Sequence, residues 1–257
     1  MQKIFITNRN NQRIAVIVEG EERTGSLVFI MHGLGGWKED AHISTFAKAF
    51  LENGFTVVRF DARNTFGESE GSYEDATVTN YYEDLEDVIL WTKNQAWYRE
   101  PFWLAGHSLG GICTALYAEK YPEQVAGLAP ISTVVSGKLS METEKHQRSL
   151  KEWERTGWRE SKSETMPGRV KRLKWSHMLD RMNYDLLPEA SKLTMPTLLI
   201  VGECDDSTPP SHQKLLFDAL PGPKELHVIV GAPHTFRDPT HLGEIKTLFD
   251  RWIRKHG

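Results

Sequence analysis

Apolar runs of strand length recur along the chain, and each gives way to a turn signal and then to a stretch with helical spacing. Arg13–Val18 reads as a strand ending at Gly20, and Ser26–Met31 as another that stops at His32-Gly33. Helical spacing over His42–Leu51 ends at Asn53-Gly54, a pair that tolerates the left-handed backbone closing many helices. Phe55–Phe60 is the next strand. Leu85, Val88, Ile89 and Leu90 then mark an apolar helical face within Tyr81–Trp91. Pro101–Ala105 reads as a short buried strand, Ile112–Tyr121 as a helix closed by Pro122, and Val125–Ile131 as a further strand. The C-terminal third repeats the rhythm: strand Thr197–Val201, helix Ser211–Leu220, strand Glu225–Val230 and helix Leu242–Ile253.

Strands rich in Val, Ile and Leu that alternate with helices predict an α/β architecture, a mostly parallel sheet with both faces covered. Ligands of such sheets bind beyond the carboxyl ends of the strands, so functional residues are expected just after strands. One stretch breaks the rhythm. From about Val134 to Leu193 the chain is polar and helix-prone without a convincing strand. It holds the charge-rich run Glu142–Glu160, the tryptophans Trp153, Trp158 and Trp175, and an interruption at Pro167-Gly168. Two expectations compete there: solvated helices pinned by those tryptophans, or a lid over a site. Because the pattern resumes afterwards, residues 134–193 are expected to be an insertion within one domain spanning 1–257.

Composition narrows the class. Of 257 residues, 39% are hydrophobic and 26% charged, ordinary for a globular protein. The formal net charge of −4 gives no reason to expect nucleic acid or an anionic membrane as partner. Two cysteines, Cys113 and Cys204, are too few for a disulfide framework and fit a reducing compartment, though one pair stays open. The first ten residues lack an apolar core of signal-peptide length, and no apolar run approaches the roughly 20 residues of a membrane helix. A cytoplasmic protein is expected, with a homodimer left open.

Four motifs follow strands. Gly106-His107-Ser108-Leu109-Gly110 lies between a predicted strand and a predicted helix, the context a nucleophile elbow needs. The turn is tight enough to require small residues beside the serine, and Gly111 lets the helix approach the sheet. His107, at the variable position, reads as a packing residue. His32-Gly33-Leu34-Gly35-Gly36 follows an earlier strand. Acyl transfer needs two donors aimed at the oxyanion of its tetrahedral intermediate, and the backbone amides of Leu34 and Leu109 are the candidates. Gly202-Glu203-Cys204-Asp205-Asp206 follows the strand at 197–201 and offers a carboxylate to orient a base histidine. Asp205 is favoured over its neighbour Asp206. Gly231-Ala232-Pro233-His234 places a histidine on a post-strand loop downstream of that acid. His212 and His241 fall near helix starts, and His227 lies within a strand. The expected catalytic set is Ser108, Asp205 and His234, in the chain order that hydrolases of this architecture use.

Together these residues resemble the α/β-hydrolase superfamily over essentially the whole chain, and more narrowly the bacterial carboxylesterases of the cinnamoyl/feruloyl esterase type. The stretch Asp61 to Gly71 is similar to the Asp-x-x-x-x-Gly-x-Ser-x-Gly run of those esterases, with one extra residue before Gly67. The spacing Gly202-x-x-Asp205-x-x-x-Pro209 is also similar to theirs. The resemblance implies an eight-stranded, mostly parallel sheet, a cap inserted after the sixth strand, and ester hydrolysis through an acyl-enzyme with a small-molecule ester as partner. Those esterases often carry Gln after the nucleophile, where this chain has Leu109; only the backbone amide is needed there. No metal or cofactor is expected, since no His/Cys cluster has zinc spacing and no P-loop is present. Competing expectations are a monoacylglycerol lipase, a serine aminopeptidase using acids such as Glu142 and Glu144, and a binding protein that kept the fold and lost catalysis. Ser108 argues against dehalogenase or epoxide hydrolase chemistry, which places Asp at that position.

Overall fold

The computed structural model describes residues 1–20, 25–162, 168 and 170–257. Its strands are β1 (Gln2–Thr7), β2 (Arg13–Glu19), β3 (Leu27–Met31), β4 (Thr56–Phe60), β5 (Phe102–His107), β6 (Val125–Ile131), β7 (Trp158–Lys162), β8 (Val170–Lys174), β9 (Thr197–Gly202) and β10 (Lys224–Ile229). The helices are α1 (Ala41–Glu52), α2 (Val78–Thr92), α3 (Leu109–Lys120), α4 (Gly137–Glu142), α5 (Glu144–Gln147), α6 (Leu150–Thr156), α7 (Ser176–Arg181), α8 (Pro210–Ala219) and α9 (Pro239–His256). Eight strands form one sheet in the order β1-β2-β4-β3-β5-β6-β9-β10. The β1–β2 and β2–β4 pairings are antiparallel, and every other neighbouring pair is parallel. This is the α/β-hydrolase architecture.

The continuous apolar strands follow from burial on both faces. In β3, Leu27, Phe29 and Met31 face the core shared with α2 and α3, whereas Val28 and Ile30 face the core beneath α1 and α9. Period-two side chains on one five-residue run therefore feed two separate cores. Trp103 and Trp252 meet edge to face at 4.7 Å in the second of these. β1 is the strand the periodicity leaves out. It is an edge strand with Phe5 exposed and only Ile6 buried, so its sequence lacks the apolar continuity of its neighbours.

Residues 134–193 lie between β6 and β9. The segment is pinched at its base, where Gly137 N donates to the Tyr184 carbonyl and Leu186 N to that of Val135. It is not all helix: β7 and β8 pair as an antiparallel hairpin, contrary to the expectation of no strand there. The reason is exposure. Every residue of β7 and all but one of β8 keeps contact with solvent, so charged side chains occupy the positions where apolar alternation would be sought. Trp153 is buried, donates its Nε1–H to the Leu173 carbonyl and packs edge to face on Trp175 at 5.5 Å. It pins α6 to the hairpin. Pro167 lies outside the described residues. Both cysteines are free, Cys113 buried and Cys204 exposed, and no described helix is long and apolar enough to cross a membrane.

One buried acid stands out. Glu119 on α3 is 7% exposed, its Oε1 has no partner among the described residues, and burial pushes its pKa up to about 8. A carboxyl raised in the folded state favours the protonated form there, so its contribution is present below the unfolded value and is lost as pH rises through about 8. Glu119→Gln removes this liability. Its melting temperature should exceed that of the parent, with a gap that widens between about pH 5 and about pH 8. A gap independent of pH in calorimetry would show that Glu119 does not titrate as described.

Candidate active site

Five post-strand loops meet at the carboxyl edge of the sheet, and the turn from β5 into α3 is the tightest of them. Ser108 sits at φ 54° and ψ −111°, left-handed backbone that a non-glycine residue adopts only under constraint. Its N–H donates to the Ile131 carbonyl at 2.9 Å and its own carbonyl accepts from Ile112 at 3.2 Å. The glycines beside it are required by contact. A Cβ on Gly106 would lie 2.4 Å from the Gly110 oxygen, and one on Gly110 would lie 2.5 Å from the His32 oxygen. The strand and the helix begin closer to the serine than periodicity predicts, since β5 runs to His107 and α3 starts at Leu109.

His234, past β10, lies with Nε2 2.9 Å from Ser108 Oγ and Nδ1 2.8 Å from Asp205 Oδ2. A carboxylate only accepts, so Nδ1 carries the proton and Nε2 is left to accept from the serine hydroxyl. Asp205 is buried, which by itself raises its pKa. The charge and hydrogen bond of His234 and the amides of Thr208 and Ser207, at 2.8 and 2.9 Å, outweigh that and hold it well below the usual carboxylate range. Thr208 Oγ1 also stands 2.9 Å from Asp205 Oδ2. Asp206 points away: it is half exposed and pairs with Lys145 at 3.3 Å. The acid and histidine loops are tied directly, Cys204 N donating to the Ala232 carbonyl at 2.9 Å.

The loop after β3 carries Leu34. His32 accepts from Ala62 N at 3.0 Å through Nε2, so its Nδ1–H donates to the Gly33 carbonyl at 2.7 Å. Burial lowers its pKa and keeps the ring neutral for this bridge. Below the loop, buried Lys38 donates to Asp61 at 2.8 Å and to Glu68 at 2.6 Å, while Asp61 accepts from the Lys38 and Glu68 amides. Deleting one partner of such a pair costs roughly 3–5 kcal/mol. Gly67 stands against this carboxylate, where a Cβ would fall 2.2 Å from Asp61 Oδ2. The Leu34 and Leu109 amides have no partner among the described residues, and both residues line the same cleft as Ser108.

Of the residues expected from sequence, the fold brings Ser108, His234, Leu34 and Leu109 to one cleft of about 230 Å³, with Asp205 buried behind His234. Sequence reasoning reads His107 as a packing residue and passes over His42 behind it. His107 Nε2–H donates to the His234 carbonyl at 2.9 Å and so fixes the backbone of that residue. Burial and the nearby His234 push the His107 pKa down to about 3. His42 packs against His107 with ring centroids 4.4 Å apart. His212 and His241 lie within the first turns of α8 and α9, and His227 within β10. The missed signal was the pairing of His107 with His42 across sixty-odd positions, which no local pattern reveals. No group of three His, Cys, Asp or Glu among the described residues is arranged to hold a metal ion.

Over residues 22–174 the chain matches the family described as serine aminopeptidase, S33. An Escherichia coli protein described as an uncharacterized 31.7 kDa protein in the traX-finO intergenic region is 24% identical, over 90% of this chain and 91% of its own length. Among solved structures, the ferulic acid complex of Est1E from Butyrivibrio proteoclasticus superposes with a TM-score of 0.79 at 20% identity, covering 98% of each chain. The mouse alpha/beta hydrolase domain-containing protein 10 gives a TM-score of 0.79 at 20% identity and covers both chains fully.

The backbone contact at the elbow yields a direct test. Gly110→Ala forces a Cβ against two carbonyl oxygens of the β3 edge, at 2.5 and 2.6 Å, that cannot rotate away. A loss of about 1–3 kcal/mol is expected by chemical denaturation, as for other overpacked sites. Full stability in that variant would mean that α3 and β3 are not in the contact described.

Proposed function

The chain belongs to the serine aminopeptidase, S33, family of α/β-hydrolases, and from that footing we propose that it is a carboxylesterase acting through an acyl-enzyme on Ser108. One observation carries the reading: the unbroken chain of contacts from Ser108 Oγ through His234 to Asp205, at 2.9 and 2.8 Å, beside two amides without a partner among the described residues. In this mechanism His234 takes the serine proton as Oγ attacks the ester carbonyl. Asp205, held ionised, orients the ring and stabilises the imidazolium. The amides of Leu34 and Leu109 receive the developing oxyanion. His234 then protonates the leaving alcohol and activates the water that releases the acid. The ring must be neutral at Nε2 to accept the serine proton.

Residues 134–193 serve as the cap in this reading. Lys145, His146, Arg159 and Arg181 from that segment line the cleft, whereas its three tryptophans do not. The tryptophans hold the segment together and the polar residues face the substrate. A polar lining and a small cleft favour soluble esters with short or aromatic acyl groups over long-chain triglycerides. A peptidase reading, which the family's description invites, needs carboxylates for a substrate ammonium. Asp40 is the one carboxylate among the described residues lining the cleft, and this favours esters over aminoacyl substrates.

Ser108→Ala should abolish nearly all turnover, and adding His234→Ala should cost little more, because the residues act as a unit. Asp205→Asn should lower kcat by orders of magnitude, up to about 10⁴, with a far smaller effect from Asp206→Asn. Substantial ester hydrolysis by purified Ser108→Ala would sink the assignment. In a panel of 4-nitrophenyl esters, feruloyl esters and aminoacyl 4-nitroanilides, the anilides should be the poorest substrates. Anilides turned over faster than every ester would make the chain an aminopeptidase, and sharp activation by emulsified triolein would make it a lipase.

A further inference from the structure

The chain carries a net charge of −4, yet the cleft around Ser108 has the opposite sign. Lys145, Arg159, Lys162, Lys171, Arg181 and Arg237 all line it, against the single carboxylate of Asp40 among the described residues. Two of these cations are built in rather than waving at the rim. Arg181, at the end of α7, is 6% exposed; it donates to Ser140 Oγ at 2.8 Å, and its buried Nε has no partner among the described residues. Arg159, on β7, lies 4.2 Å over the ring of Trp153 and lines the cleft together with Tyr73. No described carboxylate forms an ion pair with either guanidinium. Burying a charge without a counter-charge is costly, and for Arg181, the buried one of the two, an anionic ligand in the cleft would supply it.

Neighbouring groups register the resulting field. Burial first, and then the charge of Arg159, push the Arg181 pKa down to about 9. His146, lining the same cleft, is held neutral first by its own burial and then by Arg181, Arg159 and Lys145. Lys145 bonds Ser207 Oγ at 2.6 Å and shares exposed Asp206 at 3.3 Å. The guanidinium fork suits planar or tetrahedral oxyanions, to which it donates in pairs.

We propose that the substrate is an ester bearing a second, anionic group, a carboxylate or a phosphate, which Arg159 and Arg181 bind beneath the segment 134–193 while Ser108 attacks the ester carbonyl. This rests on the esterase reading and adds the charge of the substrate to it. The same field repels an α-ammonium group.

The test uses matched pairs that differ only in charge. For the acyl side they are 4-nitrophenyl hydrogen adipate and 4-nitrophenyl methyl adipate; for the alcohol side, 4-acetoxybenzoate and its methyl ester. In at least one pair the anion should have a kcat/KM higher by about tenfold or more at low salt, within the range that charge focusing in a cleft supplies. The preference should shrink in roughly 1 M NaCl, where the screening length falls to about 3 Å. It should also shrink in Arg159→Gln and Arg181→Gln. If Arg181→Gln fails to fold, Lys162→Gln on the hairpin lowers the same ratio. Free adipate and inorganic phosphate, compared as inhibitors, tell which oxyanion the site prefers. Equal rates within both pairs overturn the inference and leave the esterase reading standing. Hydrolysis of none of the four esters overturns the esterase reading instead. The charged site is then judged on Ser108→Ala alone, whose melting temperature adipate or phosphate should raise; no shift with either overturns the inference as well.

Discussion

Ser108 occupies left-handed backbone that costs on the order of 1–3 kcal/mol to hold, and the surroundings must over-determine it. They do so through backbone contact rather than side-chain packing. The first turn of α3 is pressed against β5 and β3 so closely that Gly106 and Gly110 leave no room for a methyl group. That compression aims Oγ out of the sheet toward His234 and turns the Leu109 amide into the cleft. Every other element of the site is arranged around a serine whose position is fixed by main chain alone.

Behind the serine lies a file of imidazoles: His42, His107 and His234, with centroids 4.4 and 4.9 Å apart along it. The two inner rings are buried, and burial keeps them uncharged. This neutrality matters to the outer ring. In the proposed mechanism a charged His107 would repel the imidazolium formed at His234, whereas the neutral ring lends a donor to the His234 carbonyl. The interior therefore supports the base without competing for its proton. On the solvent side the arginines of α7 and β7 set a positive potential in the space where a substrate must lie.

The sheet was largely legible because inner strands covered on both faces must be apolar nearly throughout, as β3, β5, β6 and β9 are. β1 escaped because an edge strand half in water needs no such continuity, and the β7–β8 hairpin escaped because charged residues suit an exposed ribbon. Ser108, Asp205 and His234 were legible since each follows a strand and the elbow has strict glycine requirements. What distinguishes Asp205 from Asp206, one buried and bonded by two amides, the other turned to Lys145, is a loop conformation that local pattern only hints at. The bridge from His32 to Ala62 and the convergence of cations from β7, β8, α5 and α7 are long-range facts. Each of those residues, read singly, is an ordinary polar surface position.

The acid and histidine loops touch main chain to main chain. A Cβ on Gly202 would strike the Ala232 oxygen at 2.2 Å, and the Cys204 amide is already bonded to that same carbonyl. Such a seam leaves no slack for insertions near the sheet, so length changes in a lineage carrying this fold must be absorbed further out. The described part of segment 134–193 meets the body largely through side chains instead: Thr79 N–H donates to Asp180 at 3.1 Å, His177 Nδ1 stands 2.9 Å from the Ala76 carbonyl and Lys145 donates to Ser207 Oγ at 2.6 Å. Its solvent-facing positions on β7 and β8 can be recharged without disturbing the seam. Tolerance to change is therefore uneven: the seam under Asp205 and His234 admits no added atom, whereas the exposed ribbon of β7 and β8 accepts new charges at its solvent-facing positions.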